Sequence, residues 1–147
     1  MVRQGWAALL IFVLWGACAR AAAVETKTLP DGCTYEGTFA NGALEGQGTL
    51  SCPDGREYTG GFKHGLYDGP GSLVYTDGSK YEGQFENGLL NGRGLLTWSD
   101  GGSYKGNFSN GQINGQGLLI MPSGKHYQGR FKDGDFTVKN ADKDDGQ

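Results

Sequence analysis

Between residues 31 and 139 the chain alternates apolar and polar positions in short runs, and turn residues punctuate the runs at regular intervals. In Tyr81-Glu82-Gly83-Gln84-Phe85 the period is two: Tyr81, Gly83 and Phe85 share one face, and Glu82 and Gln84 point the other way. In Gly94-Leu95-Leu96-Thr97-Trp98, the residues Gly94, Leu96 and Trp98 share a face. No repeat offers a helical spacing of useful length. Two families of turns separate the runs. One comprises Asp31-Gly32, Asp54-Gly55, Asp77-Gly78, Asp100-Gly101 and Ser123-Gly124; the other, half a repeat away, comprises Asn41-Gly42, His64-Gly65, Asn87-Gly88, Asn110-Gly111 and Asp133-Gly134. Asp-Gly between alternating apolar residues signals a hairpin, because both central positions of a type I′ turn take positive φ. The predicted fold class is all-β: an elongated, single antiparallel meander of stacked hairpins, two strands per repeat.

The runs keep a fixed register. Tyr35, Tyr58, Tyr81, Tyr104 and Tyr127 are each 23 residues apart, and each begins Y-x-G-x-F-x-x-G. Four copies continue to a G-x-G at Gly46/Gly48, Gly69/Gly71, Gly92/Gly94 and Gly115/Gly117. A fixed period in this range marks a repeat architecture. Columns read down the repeats supply the core. Two are aromatic, the tyrosines above and Phe39, Phe62, Phe85, Phe108 and Phe131. The others are Leu50/Leu73/Leu96/Leu119, the mixed Cys52/Tyr75/Trp98/Met121, and Leu44/Tyr67/Leu90/Ile113/Phe136. One hairpin cannot bury its own apolar face, so each repeat depends on its neighbours. Glycine weakens a strand, but at Gly83 it leaves room for a ring to lie over the backbone. On this reading Gly83→Val overpacks the ring layer and costs about 1–3 kcal/mol. The fifth copy lacks the G-x-G and reads as a terminal cap.

The N-terminus follows a different pattern. Arg3, the apolar run 6–15 and the small residues 16–23 make a secretory signal peptide over residues 1–23, cleaved after Ala21 or, as favoured here, Ala23. The apolar run is short for a membrane span. An uncleaved anchor is one alternative, and a bacterial lipoprotein signal ending at Cys18 is another, with Trp15 where Leu is usual. The expected location is secreted or periplasmic. Residues 24–30 read as a polar lead-in, 31–139 as the repeat domain and 140–147 as a polar, disordered tail. Cleavage removes Arg3 and Arg20 and no acid, leaving 11 Lys+Arg against 16 Asp+Glu, or −5. That balance argues against nucleic acid and against electrostatic docking on anionic lipid. Cys33 and Cys52 remain as an even pair in an exported chain, at a spacing that fits one hairpin. The expected disulfide contributes about 3 kcal/mol on the chain-entropy model; two free thiols are the alternative.

The pattern Y-E-G-x-F-x-N-G-x-x-x-G-x-G, followed by an apolar strand and D-G, resembles the MORN (membrane occupation and recognition nexus) repeat over about residues 31–136. The resemblance implies about five repeats of stacked hairpins in one twisted, curved sheet with an aromatic groove. Two features depart from it. The first-strand aromatic is Phe throughout where Trp is frequent, and Glu45, Asp68, Asn91 and Asn114 replace a frequent His. The family's members include junctional membrane proteins, cytoskeletal scaffolds, lipid kinases and protein methyltransferases. In most, the repeats organise proteins or hold another domain.

Candidate chemistry changes the picture little. His64 and His126 fill different repeat positions and have no His or Cys partner at metal-ligand spacing, so they read as turn or surface residues and no metal or cofactor is expected. The recurring Asp31, Asp54, Asp77 and Asp100 are turn residues rather than calcium ligands, since calcium sites need a nonapeptide repeat or several acids within 12 residues. Asn107-Phe108-Ser109 matches a glycosylation sequon inside a predicted strand. No hydrolase elbow, zinc-protease motif or phosphate loop occurs, so neither catalysis nor a small-molecule substrate is expected. A single sheet has too little chain to cover both faces, so some of Tyr58, Phe62, Tyr81, Phe85, Tyr104 and Phe108 are expected to remain accessible as a binding stripe. The leading reading is an exported scaffold or adaptor that receives a protein segment, or a second copy of itself, with strand addition at an open edge as one mode. The alternative is an envelope module binding carbohydrate or membrane, although wall-binding aromatic repeats are Trp-rich.

Overall fold

A computed structural model describes residues 22–133 and 135–140. Most of the expected signal peptide, Cys18, the expected tail beyond residue 140 and Gly134 lie outside the described residues. Eleven strands form one open antiparallel sheet in strict chain order. They are β1 Glu25–Thr28, β2 Thr34–Ala40, β3 Ala43–Ser51, β4 Glu57–Lys63, β5 Leu66–Val74, β6 Lys80–Glu86, β7 Leu89–Thr97, β8 Ser103–Ser109, β9 Gln112–Ile120, β10 His126–Lys132 and β11 Asp135–Asn140. The even strands carry Y-x-G-x-F, and β3, β5, β7 and β9 carry the G-x-G and its following leucine. The sequence-based expectation of an all-β meander matches this architecture.

One strand was not anticipated. The polar lead-in adds β1, pairing Thr28 with Thr34, Lys27 with Tyr35, Thr26 with Glu36 and Glu25 with Gly37. All four of its residues are exposed. Main-chain bonds satisfy the free edge of β2 without an apolar pattern in the sequence, and the Lys27 ammonium lies 5.6 Å from the centre of the Phe39 ring.

The two turn families differ, which corrects the expected type I′ geometry at the Asp-Gly sites. Type I′ occurs at the other family: Asn41 and Gly42 have φ of 50° and 79°, and Ala40 pairs directly with Ala43 across them. Around Asp54 only the glycine has positive φ, 90° at Gly55. There the Cys52 amide donates to the Arg56 carbonyl at 2.8 Å, and the Gly55 amide to the Cys52 carbonyl at 3.1 Å. This is a three-residue loop, a type I turn closed by a left-handed glycine. Aspartate suits it because its carboxylate accepts the amide two residues on: Arg56 to Asp54 at 3.0 Å and Ser79 to Asp77 at 2.8 Å. Bonds from the Ser79 amide and hydroxyl hold the Asp77 carboxyl below the usual range. The repeated aspartates therefore build turns.

The glycines form one line. Gly37, Gly48, Gly60, Gly71, Gly83, Gly94, Gly106, Gly117 and Gly129 pair successively across β2 to β10. Each of Tyr35, Tyr58, Tyr81 and Tyr104 lies flat over the second glycine of its G-x-G and occupies the space a Cβ there would need. The first glycine of the motif has a different job. In β3 the register skips Gly46 and Gln47 between Gly48 and Glu45, and Gly46 takes φ 73° to make that irregularity. The carbonyls beside the irregularity accept the tyrosine hydroxyls: Tyr58 donates to Gly61 at 2.9 Å and Tyr81 to Gln84 at 3.1 Å.

Cys33 and Cys52 stand at disulfide distance, with sulfurs 2.07 Å and Cα atoms 4.1 Å apart. They flank the paired ends of β2 and β3. The expected result is an intact mass that rises by two hydrogen atoms on reduction, with a lower melting temperature; an unchanged mass shows free thiols.

Candidate functional site

The six rings expected to form an accessible stripe are covered. Tyr58, Tyr81 and Tyr104 are 0% exposed, and Phe62, Phe85 and Phe108 are 3–4% exposed. This corrects the exposure expected of them. The physical reason is interleaving between repeats. Each tyrosine meets its own repeat's phenylalanine edge-on and that of the next repeat as well. Tyr58 lies 5.0 Å from both Phe62 and Phe85, and Tyr81 lies 5.1 Å from Phe85 and 4.9 Å from Phe108. The same contacts run from Phe39 through Tyr35 at one end to Tyr104 and Phe131 at the other, where Phe136 packs on Phe131 with planes inclined by 33°. Glycine backbone closes each tyrosine from below and phenylalanine edges close it from the sides. Edge-to-face packing of this kind adds about 0.5–1.5 kcal/mol per pair beyond burial.

What remains accessible on this face comes mainly from the odd strands and their ends, with Phe39 of β2 and Phe131 of β10 half-buried at the two extremes of the ladder. Leu50, Tyr67, Tyr75, Leu96 and Trp98 are half-buried, packed on the ring ladder from the solvent side. Tyr67 stacks on Tyr58 with centroids 3.8 Å apart and planes inclined by 16°. The candidate binding surface therefore shifts from the invariant columns to the mixed ones. The signal was present in the repeats. The columns that never vary, Tyr and Phe, fill seats of fixed volume. The column that runs Cys52, Tyr75, Trp98, Met121 tolerates large changes in volume because one side of it meets water.

Ionisable groups around the strip are few. Arg56 pairs with Asp54 at 3.6 Å and reaches the Cys52 sulfur at 3.7 Å. Burial, with Asp31 adding and Arg56 opposing, pushes the Tyr67 phenol up. Burial pushes Tyr58 up to about 12, with Tyr67 and Asp68 adding; Tyr35, Tyr75, Tyr81 and Tyr104 are raised mainly by the same cause. These folded-state values lie above the unfolded value, so their stabilisation is complete below about pH 10 and lost as pH rises through the folded values. For Tyr58 that window runs from 10.0 to about 12. Alkaline titration followed by tyrosinate absorbance and circular dichroism is expected to show ionisation delayed and coincident with loss of the sheet. Ionisation of every tyrosine near its ordinary value, with the sheet intact, contradicts it.

His64 sits in a turn with φ 51°, its amide bonded to the Glu45 carboxylate at 3.0 Å, and His126 is an exposed residue of β10. Among the described residues no three His, Cys, Asp or Glu side chains converge as a metal site. Asn107 lies within β8 beside Gly115, partly buried.

No curated protein matches this chain. The family model for the MORN repeat matches residues 35–55, 58–80, 81–103 and 104–126. The copy beginning at Tyr127 lies outside these four units, although β10 and β11 form a hairpin there. The matched units make up more than half of the sequence, contiguous but for two residues and in the register of the strands, and the chain belongs to the MORN-repeat family.

Proposed function

We propose that this protein is a non-catalytic, exported scaffold whose aromatic face receives a segment of a partner protein. MORN repeats are typically protein- or membrane-binding modules, which supports a binding role. The observation that carries the reading is the half-buried strip of Leu50, Tyr67, Tyr75, Leu96 and Trp98, which lies over a rigid ring ladder on one face of an open sheet. Rings held by a packed layer lose little freedom when a partner covers them, and large patches of this kind mark contact surfaces. Export is supported by the apolar run and small residues of 1–23 and by the Cys33–Cys52 pair.

The test is capture from an envelope extract by the full chain, compared with a Tyr75→Ser/Trp98→Ser variant. Both positions are half-buried at the ends of β5 and β7, so the ladder beneath persists and the variant is expected to fold. Enrichment of a discrete protein by the wild type alone supports the reading and names the partner. Retention on insoluble wall or membrane material, with no protein enriched, replaces it with the envelope-binding reading. The buried Tyr81 and Phe85 are unsuitable for this comparison, because their removal tests folding.

A further inference from the structure

Charge divides along the repeats. Residues 24–86 carry ten acids and four bases, whereas residues 87–140 carry three acids and six bases. Strand order equals chain order, so the division is also spatial. On the face away from the tyrosines, Arg93 pairs with Asn107, and Lys105 lies between Leu95 and Leu118. Leu118 pairs in turn with Gln128, and Gln116 with Arg130. Two adjoining depressions run over this surface and share Gln116 and Gln128. Five cations line them: Arg93, Lys105, Arg130, Lys132 and Lys139. All five are exposed, and among the described residues none is in an ion pair. Glu82, the acid at one end, is bonded to Lys80 at 3.0 Å.

We propose that this trough is a second binding surface, for an acidic, extended polypeptide segment of a partner protein. Arg93, Lys105 and Arg130 take carboxylates, and Leu95 and Leu118 form a half-buried apolar floor. Asn107, Gln116 and Gln128 offer amides to a peptide main chain. The spacing selects the ligand. From β7 to β10 is three strand steps, about 14 Å, so Arg93 and Arg130 do not converge on a single phosphate. They match several charges distributed along a chain. A nucleic acid would lack the rings on which bases stack, because Tyr67, Tyr75 and Trp98 lie on the opposite face. The inference does not depend on the role proposed for the aromatic face.

The experiment measures binding of a synthetic octapeptide of alternating glutamate and leucine to the full chain by fluorescence anisotropy, with its lysine–leucine counterpart as control. The wild type is expected to bind the acidic peptide at low salt, more weakly as salt rises, and to ignore the basic one. K105E/R130E is expected to lose at least tenfold in affinity while melting at the wild-type temperature, and Arg130→Lys to retain binding. The Tyr75→Ser/Trp98→Ser variant is expected to bind as wild type, which separates this surface from the aromatic face. Equal binding of both peptides overturns the proposal, as does undiminished binding by K105E/R130E. Tighter binding to phosphatidylserine vesicles or to a single-stranded oligonucleotide than to the peptide also overturns it, as does a wild-type dimer in gel filtration that K105E/R130E dissolves.

Discussion

Gly83→Val is expected to lower stability by about 4 kcal/mol, beyond the common range for overpacking, and the melting temperature by roughly 15 °C. A Cβ at Gly83 would lie 2.5 Å from the Tyr81 hydroxyl, 2.6 Å from the Gly94 Cα and 2.7 Å from the Arg93 carbonyl oxygen. Two of those three atoms are backbone of the neighbouring strand, so no rotamer relieves the overlap. Moving β7 away would break the Gly83–Gly94 pairing that closes this repeat's own hairpin. The alternation of residues along the strand indicated only the ring, and so only about 1–3 kcal/mol; the neighbouring main chain adds the rest. Gly42→Ala is the informative control. Its φ of 79° is strained for alanine, but no atom lies within 4 Å of the new Cβ, and the expected cost is about 1 kcal/mol. Thermal melts of the two variants check this, and equal costs would show that backbone conformation rather than clearance governs these glycines.

Tyr81→Ala is expected to cost about 4 kcal/mol, in the range for removing a buried aromatic side chain. The ring is fully buried between a glycine pair and the edges of Phe85 and Phe108. Glycines have no side chain with which to fill the space, so the hole stays open. Tyr81→Phe keeps the packing and loses the hydroxyl bond to the Gln84 carbonyl, for about 1 kcal/mol. Position adds a second effect. Each hairpin is stabilised through its neighbours, and Tyr81 joins its own repeat to the next through Phe108. Denaturant unfolding of Tyr81→Ala is therefore expected to broaden as the two halves uncouple. Tyr127→Ala, at a half-buried end position, is expected to leave the transition sharp and cost less. A sharp transition for Tyr81→Ala with a cost near that of Tyr81→Phe would show that the ring contributes little.

The glycosylation sequon lies on the face away from the ring ladder. Asn107 touches the edge of Gly115 and is partly buried in a central strand. A glycan there would occupy the basic trough that Asn107 lines.

Much of this protein is local in the sequence. The 23-residue period, the two-residue alternation and the paired turn residues were sufficient for the hairpins, their order and their common face, because every long-range pairing here is between neighbours in the chain. Cys33 and Cys52 were legible for the same reason, as they flank the ends of one hairpin. Tertiary structure decided what local pattern does not encode. Whether Tyr58, Tyr81 and Tyr104 face water depends on the phenylalanine of the following repeat, 23 residues beyond each tyrosine's own. That contact buried the rings the sequence had offered as a binding stripe and left Tyr67, Tyr75 and Trp98 at the surface. The β1 pairing rests mainly on main-chain bonds, with one Lys27–Phe39 contact, and alternation along the chain carries no signal for it. The basic trough on the other face required the register of β7 to β11, which brings single charges from successive repeats onto one surface. Periodicity along a chain specifies which residues share a face; only packing between strands decides which of them water reaches.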